Sequence, residues 1–458
     1  MPTTPLHGVS MRWSWLNWLL FFLSAAAFAQ NSGIDRRFGD GGIASISDPQ
    51  NPDAGAIGFV ACGVSPDHVR LVSYRNSTTL VSIRVDAQGL PVGSMMPVTV
   101  AASASSNVVI GACMGDGRIV VVREVAGTDQ DRNIQVLRLR ADGTLDPSFG
   151  SGSGQVVVDM DAYAVLGDAE RPSGLNLEAS GGVLVSLRLD APGNNTDPGL
   201  VRLAADGTVR FARHYPTLPG LTGASAATAA GLAADGHVWM AGTGEQPGLT
   251  TWFRVRVDAA SGQTIDSISG GADDDVITGS GRMLADGNTM VVVSRATQDG
   301  LRYRPRLLVI RGSAASHVDL PTPFDIAAAP ASMPAYVSGG NAIPTSEGRI
   351  LLVDALMRLP DLDRDVATYA ALVELGPGAG LDRIDPRFGT GGRTQFAWRG
   401  SEACAGNVPT WQRALHATNW RGRALLSGWH TRTCADGEPR PLLARLLNAD
   451  DVFADGLE

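Results

Sequence analysis

One pattern of about ten residues occurs three times in this chain, and it constrains the fold more than any other feature. Each copy has an aspartate, a phenylalanine three positions later, and a glycine directly after the phenylalanine. The positions are Asp35, Phe38 and Gly39; Asp146, Phe149 and Gly150; and Asp385, Phe388 and Gly389. A pattern that recurs at long spacing is typical of a repeat architecture. We therefore expect repeated units in place of one conventional core.

A second element, a tight turn followed by an aliphatic run, recurs seven times. An Asp-Gly pair between apolar runs predicts a β-hairpin, because the type I′ turn needs positive φ. The spacing averages about 59 residues, longer than the 40 to 50 of common propeller blades, so we expect the surplus in loops. The turns are Asp67-His68, Asp116-Gly117, Ser180-Gly181-Gly182, Asp235-Gly236, Asp286-Gly287, Glu347-Gly348 and Arg421-Gly422.

One unit contains four short apolar segments that end in turn residues. These are Val108 to Ile110, Ile119 to Val122, Ile134 to Arg140 and Gln155 to Val158. Such a segment series predicts an antiparallel meander, and meanders at this period pack radially into a β-propeller. We expect an all-β propeller of seven four-stranded blades. Residues 224–232 are the exception, since their spacing fits a helix or a connector without strands.

The last unit is completed by residues from the beginning of the chain. Leu442 to Asp450 resembles the strand before the motif in the second unit, but the motif that should follow it stands at Asp35. We therefore predict that an N-terminal strand near Ile43 to Ile46 closes the final blade. The radial packing of propeller blades leaves only short, protected sheet edges.

The three motif copies have a structural interpretation in this fold. Their aspartates can accept backbone N–H bonds in a tight turn, and their glycines permit positive φ. Pro147 and Pro386 preset φ in two copies. We expect the phenylalanines to fill the wedge between neighbouring blades, and we prefer this role to ligand binding.

The segment from Ile134 to Val158 resembles the delta-60 repeat, a propeller-type repeat of secreted and surface bacterial proteins. The other two motif copies share its Asp-x-x-Phe-Gly core. Val201 to Phe211, Arg254 to Ile265 and Leu301 to Arg311 retain the strand and lack the Phe-Gly pair. The resemblance implies a β-propeller in an extracellular or envelope protein, with no common catalytic residues.

The two ends of the chain predict export. Residues 11–29 contain a basic residue, a short apolar run and an Ala-Phe-Ala cleavage site, so we assign residues 1–29 to a signal peptide and note Met11 as an alternative start. Asn17 interrupts the apolar run, which is also short for a bilayer span. Residues 30–450 would form the propeller. Residues 451–458 form an acidic tail, interpreted equally as a processing tag or a frayed terminus.

The chain has four cysteines, an even number that favours two disulfides in an oxidising compartment. Cys62 and Cys113 precede corresponding turns of successive units, and Cys404 and Cys434 fall in one unit. We predict these two pairings. No C-x-x-C pair or nearby histidine pair accompanies the cysteines, which disfavours a metal site.

No residue set has the pattern of a catalytic, cofactor or metal site. Asp361 to Asp365 resembles a calcium loop but has Val366 where glycine is required. Gly270 to Asp275 resembles a single calcium-binding repeat where stacked copies are needed. Aromatic and imidazole side chains cluster near the C-terminus, where interblade packing is favoured over sugar stacking. They are Trp411, Trp420, Trp429 and His430.

These observations favour an exported binding module, periplasmic, cell-surface or extracellular, over an enzyme. A net charge of −9 argues against nucleic acid or an anionic membrane as the partner. We expect a monomer that binds an unidentified protein or glycan through its loops or its central funnel. The alternative is a carbohydrate-active enzyme, a glycosidase or lyase, with converging acidic residues at the funnel.

Overall fold

The computed structural model describes most of the predicted propeller. The described residues are 35–46, 57–102, 109–127, 132–161, 170–191, 195–218, 220–246, 249–270, 275–297, 303–321, 335–345, 349–358, 365–378, 380–389, 391–396, 412–420, 423–431 and 439–446. The predicted signal peptide, the C-terminal tail and the predicted Cys404–Cys434 pair lie outside these ranges. Across these ranges, no helix is long and apolar enough to cross a membrane.

The strands form seven antiparallel sheets, which confirms the predicted seven-bladed propeller. The first strand, β1 (Ile43–Ser45), belongs to the last blade. Blades 1 to 3 comprise β2 (Ile57–Ser65), β3 (His68–Asn76), β4 (Thr79–Asp86) and β5 (Pro91–Thr99); β6 (Val109–Cys113), β7 (Ile119–Ala126), β8 (Arg132–Leu139) and β9 (Gln155–Val158); and β10 (Glu170–Leu177), β11 (Val183–Ala191), β12 (Asn195–Leu203) and β13 (Val209–His214).

The remaining blades follow the same meander order. Blade 6 has a fifth strand, because β25 and β26 both pair with β24. Blades 4 to 7 comprise β14 (Ser225–Leu232), β15 (Val238–Gln246), β16 (Leu249–Val257) and β17 (Thr264–Ser269); β18 (Asp275–Met283), β19 (Thr289–Thr297), β20 (Tyr303–Arg311) and β21 (Ala314–Asp319); β22 (Ala335–Pro344), β23 (Arg349–Arg358), β24 (Asp365–Glu374), β25 (Arg383–Ile384) and β26 (Arg393–Phe396); and β27 (Gln412–Trp420), β28 (Arg423–Thr431) and β29 (Pro439–Arg445), with β1.

The core lies between the blades and not within one layer. Among the described residues, a buried apolar cluster joins each pair of neighbouring blades, including blades 7 and 1. Strand β7 shows how alternation builds it, since Ile119 and Val121 pack towards blade 1 while Val120 and Val122 pack towards blade 3. Both faces of such a strand are buried, which explains why it has an unbroken apolar sequence.

The N-terminal strand closes the ring, as predicted. Strand β1 is the outermost strand of blade 7, and Ile43 pairs with Ala444 in the antiparallel register. The Asp35 N–H donates to the Arg445 carbonyl oxygen at 2.8 Å. The two ends of the described chain are thereby held in one sheet, which leaves blades 1 and 7 in contact.

The expectation for residues 224–232 was wrong. These residues include β14, the first strand of blade 4, and form neither a helix nor a connector. The inner strands pack closely there, and a Cβ on Gly231 would clash with Met283 of blade 5. Small residues suit this crowded position, so tertiary packing overrides the local helical pattern.

Candidate functional site

The structure places the three motif copies in three different blades and therefore not in one site. Phe38, Phe149 and Phe388 are each at most 1% exposed and lie in the clusters between blades 7 and 1, 2 and 3, and 6 and 7. Gly39, Gly150 and Gly389 have φ of 58°, 62° and 55°. Each phenylalanine thus occupies the wedge between two blades.

The glycine of the motif also connects its blade to the next one. The Gly150 N–H donates to the Asp206 carbonyl oxygen in blade 3 at 2.8 Å. Likewise, the Gly39 N–H donates to the Gln88 carbonyl oxygen in blade 1 at 2.7 Å. A Cβ on Gly150 would clash with the Gln155 backbone. Positive φ and close backbone approach both require glycine here.

The motif aspartate is half of a buried ion pair that the sequence patterns did not reveal. Arg138 Nε donates to Asp146 Oδ2 at 2.7 Å, and its guanidinium lies 4.7 Å from the centre of the Phe149 ring. Arg445 has the same relation to Asp35 and Phe38, with distances of 2.8 Å and 4.9 Å. The only sequence signal was an arginine in the strand before each of these motifs.

This arginine is also bonded to the following blade. Arg138 donates to the Ala205 carbonyl oxygen of blade 3, and Arg445 donates to the Ala87 carbonyl oxygen of blade 1 at 3.0 Å. In blade 6, Leu372 takes the corresponding backbone position, and Asp385 instead pairs with Arg387 at 2.8 Å and Arg349 at 3.4 Å. The polar groups of the motif are therefore engaged in structural contacts, which disfavours a ligand role.

Acid should weaken this contact in a defined pH range. Burial raises the pKa of Asp146, but hydrogen bonds from Ser148 and the charge of Arg138 outweigh it and lower the pKa to about 2. A pKa depressed in the folded state stabilises the protein above the ordinary value of 3.8, by about 2 kcal/mol here, and this contribution disappears as the pH falls towards 2. Denaturant unfolding of wild type and Asp146→Asn at pH 7, 4 and 2.5 should show their difference shrinking in acid. Asp67→Asn, in an exposed turn, is the control, and a difference that does not change with pH would contradict the assignment.

Cys62 and Cys113 form a disulfide, as predicted. Their Cα atoms are 5.4 Å apart, and the bond joins β2 of blade 1 to β6 of blade 2. Both are first strands of their blades, so the disulfide lies in the inner part of the ring. It connects neighbouring blades at the edge of a central cavity that Cys113 lines.

A cavity of about 740 Å³ opens at the centre of the ring, on the face that carries the turns between the first and second strands. Blades 1 and 2 supply Gly63 to Pro66 and Cys113 to Gly117. Blades 5, 6 and 7 supply Arg282, Ile343, Pro344, Thr418 and Trp420. Since blades 2 and 5 are not neighbours, a cavity that both line must lie across the ring axis.

The described wall of this cavity combines small, apolar and polar residues and has two charged side chains. Asp116 is paired with Arg118, whose Nη2 lies 2.7 Å from Asp116 Oδ2. This contact lowers the pKa of Asp116. Arg282 has no hydrogen bond or ion pair with any described residue, and burial lowers its pKa. Asp116, the one carboxylate of the described wall, is therefore paired with a cation. Arg282, the one guanidinium of that wall, has no counter-charge among the described residues.

His416 of β27 lies next to Arg282 in the inner part of the ring. It is 5% exposed, and neither ring nitrogen makes a well-formed hydrogen bond with a described residue. Burial and the positive charge of Arg282 lower the pKa of His416 to about 3, against a smaller opposing effect of the Gly111 backbone. The imidazole is therefore neutral at pH 7, and a group with this pKa is a poor general base there.

Of the other predicted positions, Trp420 lines the described wall of the cavity. Trp420 belongs to the cluster between blades 7 and 1, and its indole N–H donates to the Ser65 carbonyl oxygen at 3.2 Å. Trp411 and the side chains of Trp429 and His430 lie outside what the structure describes. Residues 361–364 and 271–274, which belong to the two calcium-like segments, also lie outside the described ranges. The described residues contain no group of three His, Cys, Asp or Glu side chains that could hold a metal ion.

A second, smaller depression of about 400 Å³ lies at the outside of the ring. It is formed by the motif of blade 2 and the turn of blade 3 that contains Asp206. Asp206 Oδ1 accepts the Thr208 N–H at 2.9 Å, which lowers the pKa of this carboxylate. The polar groups of this depression stabilise the local turn, so the central cavity is the stronger candidate for a binding site.

Comparison with known families supports the repeat architecture. Residues 115–149 match the family model described as "Domain of unknown function (DUF5122) beta-propeller". The match begins at the turn before β7 and ends at the motif phenylalanine of blade 2. No curated protein matches the chain in sequence.

Three solved structures that resemble this chain do so at low identity. A PL25 ulvan lyase is 9% identical over 92% of this chain and 97% of its own, with a TM-score of 0.46. The β-propeller domain of the Trilobed protease from Pyrococcus furiosus is 9% identical over 87% and 99%, with a TM-score of 0.43. Hydrazine synthase of Kuenenia stuttgartiensis is 13% identical over 69% and 76%, with a TM-score of 0.42. Similarity at this level says nothing about activity.

Proposed function

We propose that this chain is an exported β-propeller of the delta-60 type that acts as a binding module. The observation that carries the proposal is the central cavity, whose volume of about 740 Å³ is within the range of small-molecule sites. Its wall comes from turns of several blades, and such turns are where propellers vary without disturbing their core. The ligand would be a glycan or an exposed group of a partner protein, bound by a monomer.

Export is the second part of the proposal. A disulfide that joins two inner strands persists in an oxidising compartment, and residues 11–29 have the pattern of a signal peptide. The periplasm, the cell surface and the medium all meet this condition. Detection of the processed N-terminus at Gln30 in a periplasmic or secreted fraction would support this part.

The alternative is a carbohydrate-active enzyme that uses the same cavity. A glycosidase needs two carboxyl groups about 5 to 10 Å apart, whereas the described wall offers Asp116 alone, already paired with Arg118. A lyase would need a base within reach of the substrate, and His416 is buried with a pKa of about 3. The described residues therefore favour binding over catalysis.

A variant that fills the cavity tests the proposal. Gly115 lines the cavity, and an added Cβ would meet no atom within 4 Å, so Gly115→Phe should fold normally and occupy the opening. On a glycan array, the mature chain should bind a set of glycans that Gly115→Phe loses by at least about tenfold, a difference of about 1.4 kcal/mol.

Gly378→Phe is the matched control, since Gly378 lies outside the cavity and has comparable space. It should bind as wild type does. Equal binding by Gly115→Phe would place recognition elsewhere and overturn the proposal. Conversion of a bound glycan to shorter or unsaturated products would favour the enzyme.

A further inference from the structure

Several buried or half-buried arginines of the ring have partners, whereas half-buried Arg282 has none among the described residues. Arg138 and Arg445 each pair with a motif aspartate, and Arg202 pairs with Glu178 at 2.6 Å. Arg123 donates to the carbonyl oxygens of Ser77 and Ala101. Arg282 makes no such contact within the described part of the chain, although it lies in the inner part of the ring.

An uncompensated guanidinium in this position is costly. Arginine stays protonated in proteins, and a buried charge without a partner costs several kcal/mol unless water or a counter-ion stabilises it. Arg282 is partly exposed, and it lines the central cavity. The cavity is therefore where its counter-ion can lie.

His416 is a second buried polar group near Arg282. It is only 5% exposed, and neither ring nitrogen makes a well-formed hydrogen bond with a described residue, although the Gly111 backbone lies close enough to raise its pKa slightly. Buried polar groups without a protein partner are rare in native proteins, and they commonly bind a water molecule or an ion.

The rest of the wall limits the kind of anion. Val64, Met114 and Ile343 present apolar surface beside the hydroxyl-bearing Ser65 and Thr418, which suits a ligand whose body has both apolar and polar surface. Asp116 is already paired with Arg118, so Arg282 is the one charge of the described wall without a counter-charge, and it matches a single carboxylate. An organic acid with one carboxylate satisfies both conditions.

We propose that the central cavity binds a small organic monoacid, such as a uronic acid unit or an aromatic acid, with its carboxylate on Arg282. The planar guanidinium can donate two parallel hydrogen bonds to a carboxylate, which a neutral analogue cannot accept equally well. Arg282 sets the charge preference, and the apolar and hydroxyl-bearing residues of the wall contact the body of the ligand. This inference rests on the proposed function, because it names the ligand class of the same cavity.

Matched acid and neutral probes test the charge preference. Calorimetric titration of the mature chain with galacturonate and galactose, and with benzoate and benzamide, should give a dissociation constant at least about tenfold lower for each acid. Arg282→Met should abolish this preference. Arg383→Met is the control, since the Arg383 side chain is 73% exposed on blade 6, and it should keep the preference.

Two further measurements separate a binding arginine from a merely structural one. Because Arg282 is a charge without a counter-charge among the described residues, Arg282→Met without ligand should unfold at the same or a higher temperature than wild type. Loss of its positive charge should also raise the pKa of His416 from about 3, as measured by NMR titration, although burial should keep it below 6.5. A strongly lowered unfolding temperature would assign Arg282 a structural role and overturn the inference.

The outcomes distinguish this inference from the proposed function. If neutral probes bind as tightly as acids and Gly115→Phe blocks both, the charge preference is wrong and the binding cavity stands. If Arg282→Met retains the acid preference, Arg282 is not the anchor. If neither the probes nor the glycan array gives any binding to the cavity, both proposals fail.

Discussion

Phe149→Ala should lower the free energy of unfolding by about 3 to 5 kcal/mol, the cost of removing a large aromatic side chain from a packed core. Phe149 is fully buried between blades 2 and 3, and Arg138 lies over its ring. The substitution leaves a cavity beneath a charged group and loses the cation–π contact, so the upper half of this range is expected. Urea unfolding followed by circular dichroism at pH 7 measures it.

Leu381→Ala is the control for this prediction. Leu381 is a large apolar residue beside the third motif copy, but it is 60% exposed, so its removal should change the stability by less than about 0.5 kcal/mol. A loss below about 1 kcal/mol for Phe149→Ala would mean that the blades hold together without the motif wedge. Phe38→Ala should behave as Phe149→Ala does, because Phe38 occupies the same position where the ring closes.

Removal of the Cys62–Cys113 disulfide should cost about 4 kcal/mol, since the bond closes a loop with a sequence separation of 51 residues. Such a loop restricts the unfolded chain, and the two inner strands that it joins would otherwise be held only by packing. The double variant Cys62→Ala/Cys113→Ala should therefore unfold at lower urea concentration than wild type. The comparison is made in the absence of reductant.

Reductant provides the internal control. Wild type treated with dithiothreitol in urea should approach the stability of the double variant. If the double variant itself loses further stability in dithiothreitol, the predicted Cys404–Cys434 pair is also bridged. Equal stability of wild type and double variant would contradict the expected contribution of this disulfide.

Most of the fold was predictable because it depends on local sequence patterns. Asp-Gly turns between aliphatic runs specify hairpins through backbone geometry, and Asp116-Gly117 indeed precedes β7. The motif copy at Asp35 also predicted ring closure, since it belongs to the unit that begins near the C-terminus. Cys62 and Cys113 were paired from their matching places in successive units, and the repeat brings them together.

The candidate site was less accessible from the sequence. Arg282 and His416 are more than a hundred residues apart, on blades 5 and 7, and neither is in a recurrent pattern. Their proximity follows from the central position of the first strands. The role of Arg138 was likewise hidden, because its contacts with Asp146 and with the Ala205 carbonyl oxygen appear only when two blades are packed. Residues 224–232 were misassigned for a related reason, since local spacing does not report crowding at the axis.

The sequence by itself determined the all-β repeat, the hairpin turns, the closing strand and the Cys62–Cys113 pairing. All of these depend on residues that are close in sequence or equivalent in successive repeats. Only the tertiary structure decided which of the described charged groups have partners. Pairing depends on distances between blades, and the closed ring places an arginine with no counter-charge among the described residues beside a buried neutral histidine at its centre. A repeat specifies how each blade is built, whereas the shared space at the axis belongs to no single repeat.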